Sequence, residues 1–326
     1  MTILVTGAAG FIGHNLCLAL LERGEQVVGV DSLNDYYDPA LKRARLERLA
    51  GFEQFRFAQV DLADDGALER AVSPDAITHI VNLAAQAGVR YSIENPRAYV
   101  RSNLSGYANV LEFARAAKNL KHLVYASSSS VYGDRSDGPF RESDPVIKPV
   151  SLYSATKISG EALSESYAHL YGIPMTGLRF FTVYGAWGRP DMAYWIFTEK
   201  ILKGETIDIF AAGEMSRDFT YIDDIITALG QIVDTPPQTI NEKDVPHEIY
   251  NLGNSAPTPL MDLVHAVEKT CGREAKKNFM PKQMGDVSKT FADISKAKTA
   301  FNYNPKTTIE QGIPVFVDWY RDFYNI

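Results

Sequence analysis

A glycine-rich turn near the beginning of the chain, GAAGFIG at residues 7–13, limits the possible folds more than any other feature. It follows the apolar run of residues 3–5 and precedes a helical pattern of leucines. In such a strand–turn–helix unit the first glycine allows a tight turn, the second lets the backbone approach a pyrophosphate, and the third lets helix and sheet pack closely. The helix N-terminus offers unpaired N–H groups to that pyrophosphate. The segment therefore predicts a dinucleotide site that begins with Gly7, Gly10 and Gly13.

The end of the second apolar run indicates which dinucleotide is bound. Residues 27–30 are apolar, and Asp31 follows them, 18 residues after Gly13. A carboxylate at this place can accept hydrogen bonds from the adenine ribose hydroxyls, whereas it repels a 2′-phosphate. The neighbours Ser32 and Leu33 supply no arginine that could neutralise such a phosphate. NAD is therefore expected as the cofactor, in preference to NADP.

Apolar runs and helical patterns continue to alternate through the first half of the chain. The runs are residues 55–60, 77–83, 123–126 and 175–178, and the helical patterns are residues 67–72, 98–118 and 155–171. Strands that alternate with helices predict an α/β fold, a Rossmann-type doubly wound parallel sheet covered on both faces. Ligands bind outside the carboxyl ends of such strands. Small or polar residues stand at four of these ends: residues 61–62, 84–85, 127–130 and 180–182.

The second half differs in composition, and we expect it to contribute a smaller domain. Residues 187–217 are rich in Trp, Arg, Asp and Met, and the tail from Pro257 is helical and charged. The expected division gives residues 1–181 to the dinucleotide domain, with returning segments at about 218–235 and 248–255. Residues 182–217 and 256–326 would then form a smaller α/β C-terminal lobe that binds the substrate.

Composition excludes several classes of partner. A net charge of −7 and a pI of about 5.5 argue against a nucleic-acid-binding protein, since phosphate backbones require a basic face. No apolar run reaches ~18 residues and no charged-then-apolar leader is present, so no membrane association is expected. Cys17 and Cys271 are the only cysteines and fit a reducing cytoplasm. No cluster of residues has the spacing of metal ligands, so we expect no bound metal.

The stretch YSATK supplies a candidate for acid–base chemistry. Tyr153 and Lys157 are four residues apart and so share one face of a helix. Most Tyr–Lys pairs at this spacing are only a solvated helix face. Beside a nicotinamide cofactor, however, a tyrosine can take the proton of an alcohol while a hydride leaves the same carbon. A neighbouring cation favours the phenolate of a phenol whose pKa is ordinarily about 10.

These motifs together resemble a family, the extended short-chain dehydrogenase/reductases that act on nucleotide sugars. Besides the glycine turn and Asp31, the resemblance is carried by SSSSVYG at 127–133, YSATK at 153–157 and RDFTYIDD at 217–224, and it covers essentially the whole chain. Three more stretches are most similar to the UDP-glucuronate 4-epimerases: DSLNDYYDP (31–39), QAGVRYS (86–92) and RFFTVYGAWGRPDMA (179–193). The last motif usually has proline where this chain has Ala186, a difference that affects backbone stiffness and no reacting group.

The resemblance implies 4-epimerisation of UDP-glucuronate to UDP-galacturonate through a transient 4-keto intermediate, with NAD held tightly. In that reaction Tyr153 would take the proton of the sugar C4 hydroxyl, Lys157 would contact the nicotinamide ribose, and Ser128 would hydrogen-bond the C4 oxygen. The implied NAD contacts are Gly7, Gly10, Phe11, Ile12, Gly13, Asp31, Asn34, Asp61, Leu62, Leu83, Ala84, Ala85, Asn103, Ser127, Tyr153, Lys157 and Phe180.

A uronic acid brings the hazard of decarboxylation, because the C6 carboxylate is β to the C4 ketone. Sister enzymes that decarboxylate carry an acidic residue after the catalytic hydroxyl, where this chain has Ser129 and Ser130. Thr182 replaces an asparagine of the glucose-type epimerases. Hydroxyls can donate to a carboxylate, and a second carboxylate would repel it. We therefore expect Ser129, Ser130 and Thr182 to hold the carboxylate; alternatively, the serines only shape a strand-end turn.

The remaining substrate contacts implied by the resemblance serve the nucleotide. Arg217 resembles the family's UDP-contacting arginine, and Asp286 matches an acid that touches the ribose. Arg189 either binds the diphosphate or supports the Thr182 loop, and Phe210 is expected near the uracil. The full expected set of substrate residues is Arg90, Ser128, Ser129, Ser130, Tyr153, Thr182, Arg189, Met192, Phe210, Arg217 and Asp286.

The same sequence is also compatible with other functions. The fold and cofactor also suit a UDP-glucose or UDP-N-acetylglucosamine 4-epimerase, or a UDP-glucuronate decarboxylase. A non-catalytic NAD-sensing protein is a further alternative, although such proteins usually lose the reacting groups that are intact here. The helical patterns at 98–118 and 155–171 resemble those that pair in family dimers, so a cytoplasmic homodimer is expected, whose mass light scattering would report.

Overall fold

The computed structural model describes residues 1–135, 138–239, 244–283 and 287–326, so that Asp286 lies outside the described residues. The described chain forms two compact units. Unit 1 comprises Met1–Val131, Val146–Arg179 and Ile226–Tyr250, and unit 2 comprises Tyr132–Pro145, Phe180–Ile225 and Asn251–Ile326. Within these ranges, no helix combines the length and the apolar character that a bilayer crossing requires.

A seven-stranded sheet forms the centre of unit 1 and confirms the predicted α/β fold. Its strand order is β10-β6-β5-β4-β1-β2-β3, and the pairs β1–β2, β2–β3, β1–β4 and β4–β5 are parallel. Because β1 lies between β2 and β4, the connections change direction beside it, where open α/β sheets bind their ligands. The strands are β1 (Thr2–Thr6), β2 (Gln26–Asp31), β3 (Phe55–Gln59), β4 (His79–Asn82), β5 (His122–Ser128), β6 (Met175–Phe180) and β10 (His247–Leu252).

Helices connect these strands, and local sequence signals define where the longest of them begins and ends. The helices are α1 (Phe11–Glu22), α2 (Pro39–Glu47), α3 (Ala67–Ala71), α4 (Tyr91–Glu94), α5 (Pro96–Val100), α6 (Gly106–Ala116), α7 (Leu152–Tyr171) and α9 (Ile222–Val233). The Ser151 hydroxyl caps α7 by accepting from the Ser154 amide at 3.1 Å. Gly172, at φ +65°, ends the helix in the left-handed conformation that glycine adopts freely.

The apolar core of unit 1 packs one face of the sheet against α6. Leu4, Ile80 and Leu123 lie on three neighbouring strands and are fully buried. Val110 and Phe113 of α6 belong to the same buried cluster. Burial of a side chain of this size contributes about 1.5–3 kcal/mol. This core fixes the strands whose carboxyl ends carry the predicted site residues.

Unit 2 contains two small sheets and a layer of helices rich in aromatic residues. Trp195 of α8 packs against Phe316 and Tyr320 of α12, with ring centroids 5.6 and 5.4 Å apart. The sheets have the orders β11-β9-β7 and β12-β8. Their strands are β7 (Thr182–Tyr184), β8 (Thr206–Phe210), β9 (Ser216–Tyr221), β11 (Pro257–Pro259) and β12 (Lys276–Met280); the helices are α8 (Ala193–Lys203), α10 (Leu260–Cys271), α11 (Ser295–Phe301) and α12 (Ile309–Tyr324).

Two parts of the chain differ from the sequence-based expectation. The single helix expected at 98–118 is interrupted by a π-helical segment, Arg101–Ser105, between α5 and α6. In the tail expected to be helical, Lys276–Met280 forms a strand that pairs in parallel with Thr206–Phe210. This strand is largely exposed and begins with two lysines, so it lacks the apolar run from which a strand is recognised.

Candidate active site

The glycine turn forms a helix N-terminus that is open to an anion. Gly10 is the N-cap of α1 and provides no side-chain hydrogen bond, and the first helical amide bond runs from His14 to the Gly10 carbonyl at 3.1 Å. A Cβ atom on Gly13 would lie 2.0 Å from the Gly7 oxygen, and one on Gly7 would lie 2.8 Å from the Ala84 nitrogen. Only glycine fits at these two positions. The turn therefore suits the pyrophosphate of a dinucleotide.

Asp31, at the end of β2, connects the glycine turn to the next loop. Its Oδ2 accepts from the Ala9 amide at 3.1 Å, and its Oδ1 accepts from the Leu33 amide at 2.9 Å. Each carboxylate oxygen has a second lone pair, so both can still accept from a ribose hydroxyl. The geometry fits an adenine ribose with two free hydroxyls, as NAD has.

Two basic residues of α2 lie near this carboxylate, and they were not identified from the sequence as part of the site. Lys42 donates from Nζ to the Asn34 carbonyl at 2.6 Å and to Asn34 Oδ1 at 2.7 Å. Arg45 is fully buried and donates to the Ala9 carbonyl at 2.9 Å. Burial lowers the pKa of Lys42, while Asp31 opposes the change. The expected NAD contact Asn34 is thus held in place by an ammonium group.

The other expected NAD contacts lie at the carboxyl ends of the strands. They are Asp61 and Leu62 after β3, Leu83, Ala84 and Ala85 after β4, Ser127 near the end of β5, and Phe180 at the end of β6. Asn103 lies in the π-helical segment and bonds to protein: its Oδ1 accepts from the Gln86 amide at 2.8 Å, and its Nδ2 donates to Thr156 Oγ1 at 3.1 Å. It therefore ties the loop after β4 to α7, between Tyr153 and Lys157.

Tyr153 and Lys157 lie in the first two turns of α7. The Lys157 nitrogen is 5.9 Å from the centroid of the Tyr153 ring and donates to the Ala126 carbonyl of β5 at 2.7 Å. Burial lowers the pKa of Lys157 to about 8, and the nearby Glu161 carboxylate opposes this shift. An ammonium so close to a phenol stabilises the phenolate, which is the form that can accept a proton.

Ser128 and Ser130 form a compact turn where β5 ends. The Ser128 hydroxyl donates to Ser130 Oγ at 3.1 Å and accepts from the Ser130 amide at 3.2 Å. Ser154 of α7 donates to the Ser130 carbonyl at 2.6 Å, which fixes the turn beside the helix that carries Tyr153. These bonds hold the strand-end turn in shape, which is the alternative role of the serines. They leave lone pairs and, at Ser129, a partly exposed side chain.

A buried ion pair next to the Tyr–Lys pair was not predicted. Arg179 of β6 donates from Nε to Glu161 Oε1 at 2.9 Å and from Nη2 to Glu161 Oε2 at 2.8 Å. Ser127 donates to the same Oε1 at 2.5 Å. Glu161 follows Lys157 by four residues, as Lys157 follows Tyr153, and this spacing was the only signal in the sequence.

The 86–92 stretch is anchored by an aromatic side chain close to Tyr153. The Tyr99 ring meets the Tyr153 ring edge-on, with centroids 6.1 Å apart, and its hydroxyl donates to the Ala87 carbonyl at 2.8 Å. Arg90, expected near the sugar, precedes α4 in this stretch and is solvent-exposed.

The expected substrate residues of unit 2 lie on several of its elements. Thr182 opens β7, pairs in register with Phe219, and is partly buried. Arg189 forms a two-pronged ion pair with Asp191, with distances of 3.0 and 2.8 Å, and Met192 follows as the N-cap of α8. Arg217 is on β9 and donates to the Ser216 carbonyl at 3.0 Å, and Phe210 ends β8.

Comparison with known proteins places these features in a family. A family model described as the NAD dependent epimerase/dehydratase family matches residues 3–253. The chain belongs to the NAD dependent epimerase/dehydratase family. Within the described residues, no group of three or more His, Cys, Asp or Glu side chains could hold a metal ion.

Several known proteins and solved structures match the chain over nearly its whole length. Protein CapI of Staphylococcus aureus is 47% identical, with 100% of both chains covered. UDP-glucuronate 4-epimerase 4 of Arabidopsis thaliana is 46% identical over 100% of this chain and 76% of its own length. The crystal structure of UDP-glucuronic acid 4-epimerase from Bacillus cereus with UDP-glucuronic acid and NAD has a TM-score of 0.91 and 36% identity, covering 99% of this chain and 100% of the other.

Proposed function

We propose that the protein is a UDP-glucuronate 4-epimerase that works with bound NAD and forms UDP-galacturonate without loss of CO₂. The observation that carries this proposal is the buried Lys157 ammonium, 5.9 Å from the Tyr153 ring, on the helix beside the Ser128 turn. The family match and the similarity to proteins named UDP-glucuronate 4-epimerases support this substrate class. When bound, NAD supplies the acceptor and donor of the C4 hydride.

Residues of the chain would transfer the proton and form hydrogen bonds with the C4 oxygen of the sugar. Lys157 stabilises the Tyr153 phenolate, which takes the proton of the C4 hydroxyl and later returns it to the same oxygen when C4 is reduced from its other face. Ser128 keeps a free lone pair and a rotatable hydroxyl for the same oxygen. General acid–base groups of this kind typically contribute ~10²–10⁴-fold to turnover.

The contacts to the rest of the substrate are proposed on the family resemblance. Ser129, Ser130 and Thr182 would hold the C6 carboxylate and oppose its departure as CO₂. Residues 182–217 and 256–326 would contribute the UDP-sugar lobe. Its proposed contacts are Met192, Phe210, Arg217 and Asp286, with Arg90 from the loop after β4. For Arg189 we favour a supporting role, because its guanidinium already donates from Nε and Nη2 to the Asp191 carboxylate.

Product analysis with two UDP-sugars tests the proposed function. Purified protein without added NAD should convert UDP-glucuronate to UDP-galacturonate, because the cofactor ends each turnover unchanged and stays bound. UDP-glucose should turn over more slowly, since it lacks the carboxylate that the serines and Thr182 are proposed to hold. Chromatography with mass detection separates the two substrates, UDP-glucuronate and UDP-glucose, from their 4-epimers, UDP-galacturonate and UDP-galactose.

Two other products would contradict this proposal in different ways. Faster conversion of UDP-glucose would make the chain a glucose-type epimerase. A UDP-pentose as the main product would make it a decarboxylase. Since both alternatives use the same Tyr–Lys pair, only the product distinguishes them.

A further inference from the structure

The acid–base pair continues into a third residue on the same face of α7. Tyr153, Lys157 and Glu161 follow one another at intervals of four, so their side chains form a row along the helix. Glu161 and Arg179 are 6% and 3% exposed, and they form a bidentate ion pair at 2.9 and 2.8 Å. A buried ion pair is by itself weak evidence for a role in stability, since its replacement by apolar residues of similar volume is often neutral or stabilising.

The same short piece of β5 holds both the ammonium and the carboxylate. The carbonyl of Ala126 accepts from Lys157 at 2.7 Å, and the hydroxyl of the next residue, Ser127, donates to Glu161 at 2.5 Å. A displacement of the Glu161 side chain would therefore release Ser127 and shift the carbonyl that holds the ammonium.

We propose that Glu161 is a positioning residue for proton transfer, which fixes Lys157 against β5 and keeps its ammonium charged beside Tyr153. This inference rests on the proposed function for the roles of Tyr153 and Lys157. Arg179 and Ser127, in turn, orient the Glu161 carboxylate.

Electrostatics around Lys157 agree with this geometry. Burial lowers the pKa of Lys157 to about 8, and Glu161 is the charged group that opposes the shift. On the elements packed against α7, the buried or half-buried titratable side chains are the phenols Tyr91, Tyr99, Tyr107 and Tyr125, the neutral His122, and Glu112, which accepts from Tyr167 farther along the helix. The side chains of Glu94, Arg97, Arg101 and Arg115 on these elements are exposed. Within the described chain, Arg179 is the buried cation that faces Glu161 across the pair.

The sign of the pH effect follows from the two charges. Turnover needs the Tyr153 phenolate and the Lys157 ammonium, so activity is lost on the basic side as pH rises through the pKa of Lys157. Glu161→Gln removes a negative charge and leaves Arg179 positive, which lowers the pKa of Lys157 further. Arg179→Met removes a positive charge and raises it. The basic limb of the pH–activity profile should therefore move to lower pH in Glu161→Gln and to higher pH in Arg179→Met.

The experiment compares pH profiles of kcat for the wild type, both variants and a matched control. Glu165→Gln is the control, because Glu165 lies one turn farther along α7 and bonds to His247, whereas Glu161 bonds to Arg179 and Ser127. We expect Glu161→Gln to shift the basic limb down by about one pH unit and to lower activity about tenfold at pH 8.5, with much less effect at pH 6.5. The control profile should not move.

A second readout does not require turnover. The rate at which an amine-reactive reagent modifies Lys157, located by mass spectrometry, follows the fraction of neutral amine and should rise at lower pH in Glu161→Gln.

If Glu161→Gln fails to fold, the uncharged double variant Glu161→Gln with Arg179→Met replaces it. The basic limb of its pH profile should lie at lower pH than that of Arg179→Met. An unmoved profile, or shifts of Glu161→Gln and Arg179→Met in the same direction, would overturn the inference. Wild-type protein that modifies normally but does not epimerise UDP-glucuronate would instead count against the proposed function.

Discussion

Tyr153→Phe should lower turnover of UDP-glucuronate by about 10²–10⁴, the range for a lost acid–base group. The substitution keeps the ring, and with it the edge-on contact to Tyr99. It removes only the oxygen that is proposed to accept the C4 proton. NAD should remain bound, because the glycine turn, Asp31 and Lys157 are unchanged. Steady-state kinetics and the absorbance of the bound cofactor measure both quantities.

A second tyrosine of the same helix serves as the control for this variant. Tyr167 lies in α7, and its hydroxyl bonds to Glu112 at 2.5 Å. Tyr167→Phe should keep turnover close to the wild type. Wild-type turnover in Tyr153→Phe would rule out the proton-transfer role. An equal loss in both variants would show that the effect comes from helix packing.

Thr182→Val should raise the loss of CO₂ relative to epimerisation by about tenfold. Valine has the shape of threonine but no hydroxyl, and a hydrogen bond to a charged group contributes about 1.5–3 kcal/mol. If part of that is lost at the 4-keto intermediate, a change of about 1.4 kcal/mol in the competition between reduction and decarboxylation alters the product ratio about tenfold. Mass detection of UDP-4-keto-pentose and trapping of CO₂ measure the ratio.

Thr182→Ser keeps the hydroxyl and is the matched control for this prediction. It should epimerise with little decarboxylation. Because each escaped keto sugar leaves its reducing equivalent on the enzyme, release in Thr182→Val should stop near one equivalent per active site. Slower epimerisation in Thr182→Val with no CO₂ would show that this hydroxyl does not hold the carboxylate.

The parts of the fold that the sequence predicts are those with local signals. The strand, glycine turn and helix at residues 2–22 follow from sterics that only glycine satisfies, as the 2.0 Å distance at Gly13 illustrates. Capping by Ser151 and the left-handed Gly172 define α7. By contrast, the interruption at Arg101–Ser105 leaves the apolar spacing of a continuous helix intact, so the periodicity does not reveal it.

The parts of the candidate site that the sequence does not predict depend on contacts between distant residues. Glu161 and Arg179 are 18 positions apart and reveal their pairing only when α7 packs beside β6. Lys42 and Arg45 are likewise brought to the Asp31 region by the folding of α2. The Arg189–Asp191 pair is local, however, and the GRPDMA stretch could have suggested it.

UDP-glucuronate that carries deuterium at C4 tests directly whether the C4 hydride is removed and returned by the same enzyme molecule. If the C4 hydride leaves and returns within one active site, the UDP-galacturonate formed without added NAD should retain the deuterium at C4, as mass spectrometry and proton NMR would detect. Replacement of the label by solvent hydrogen would show that C4 exchanges with water, and it would contradict the proposed mechanism.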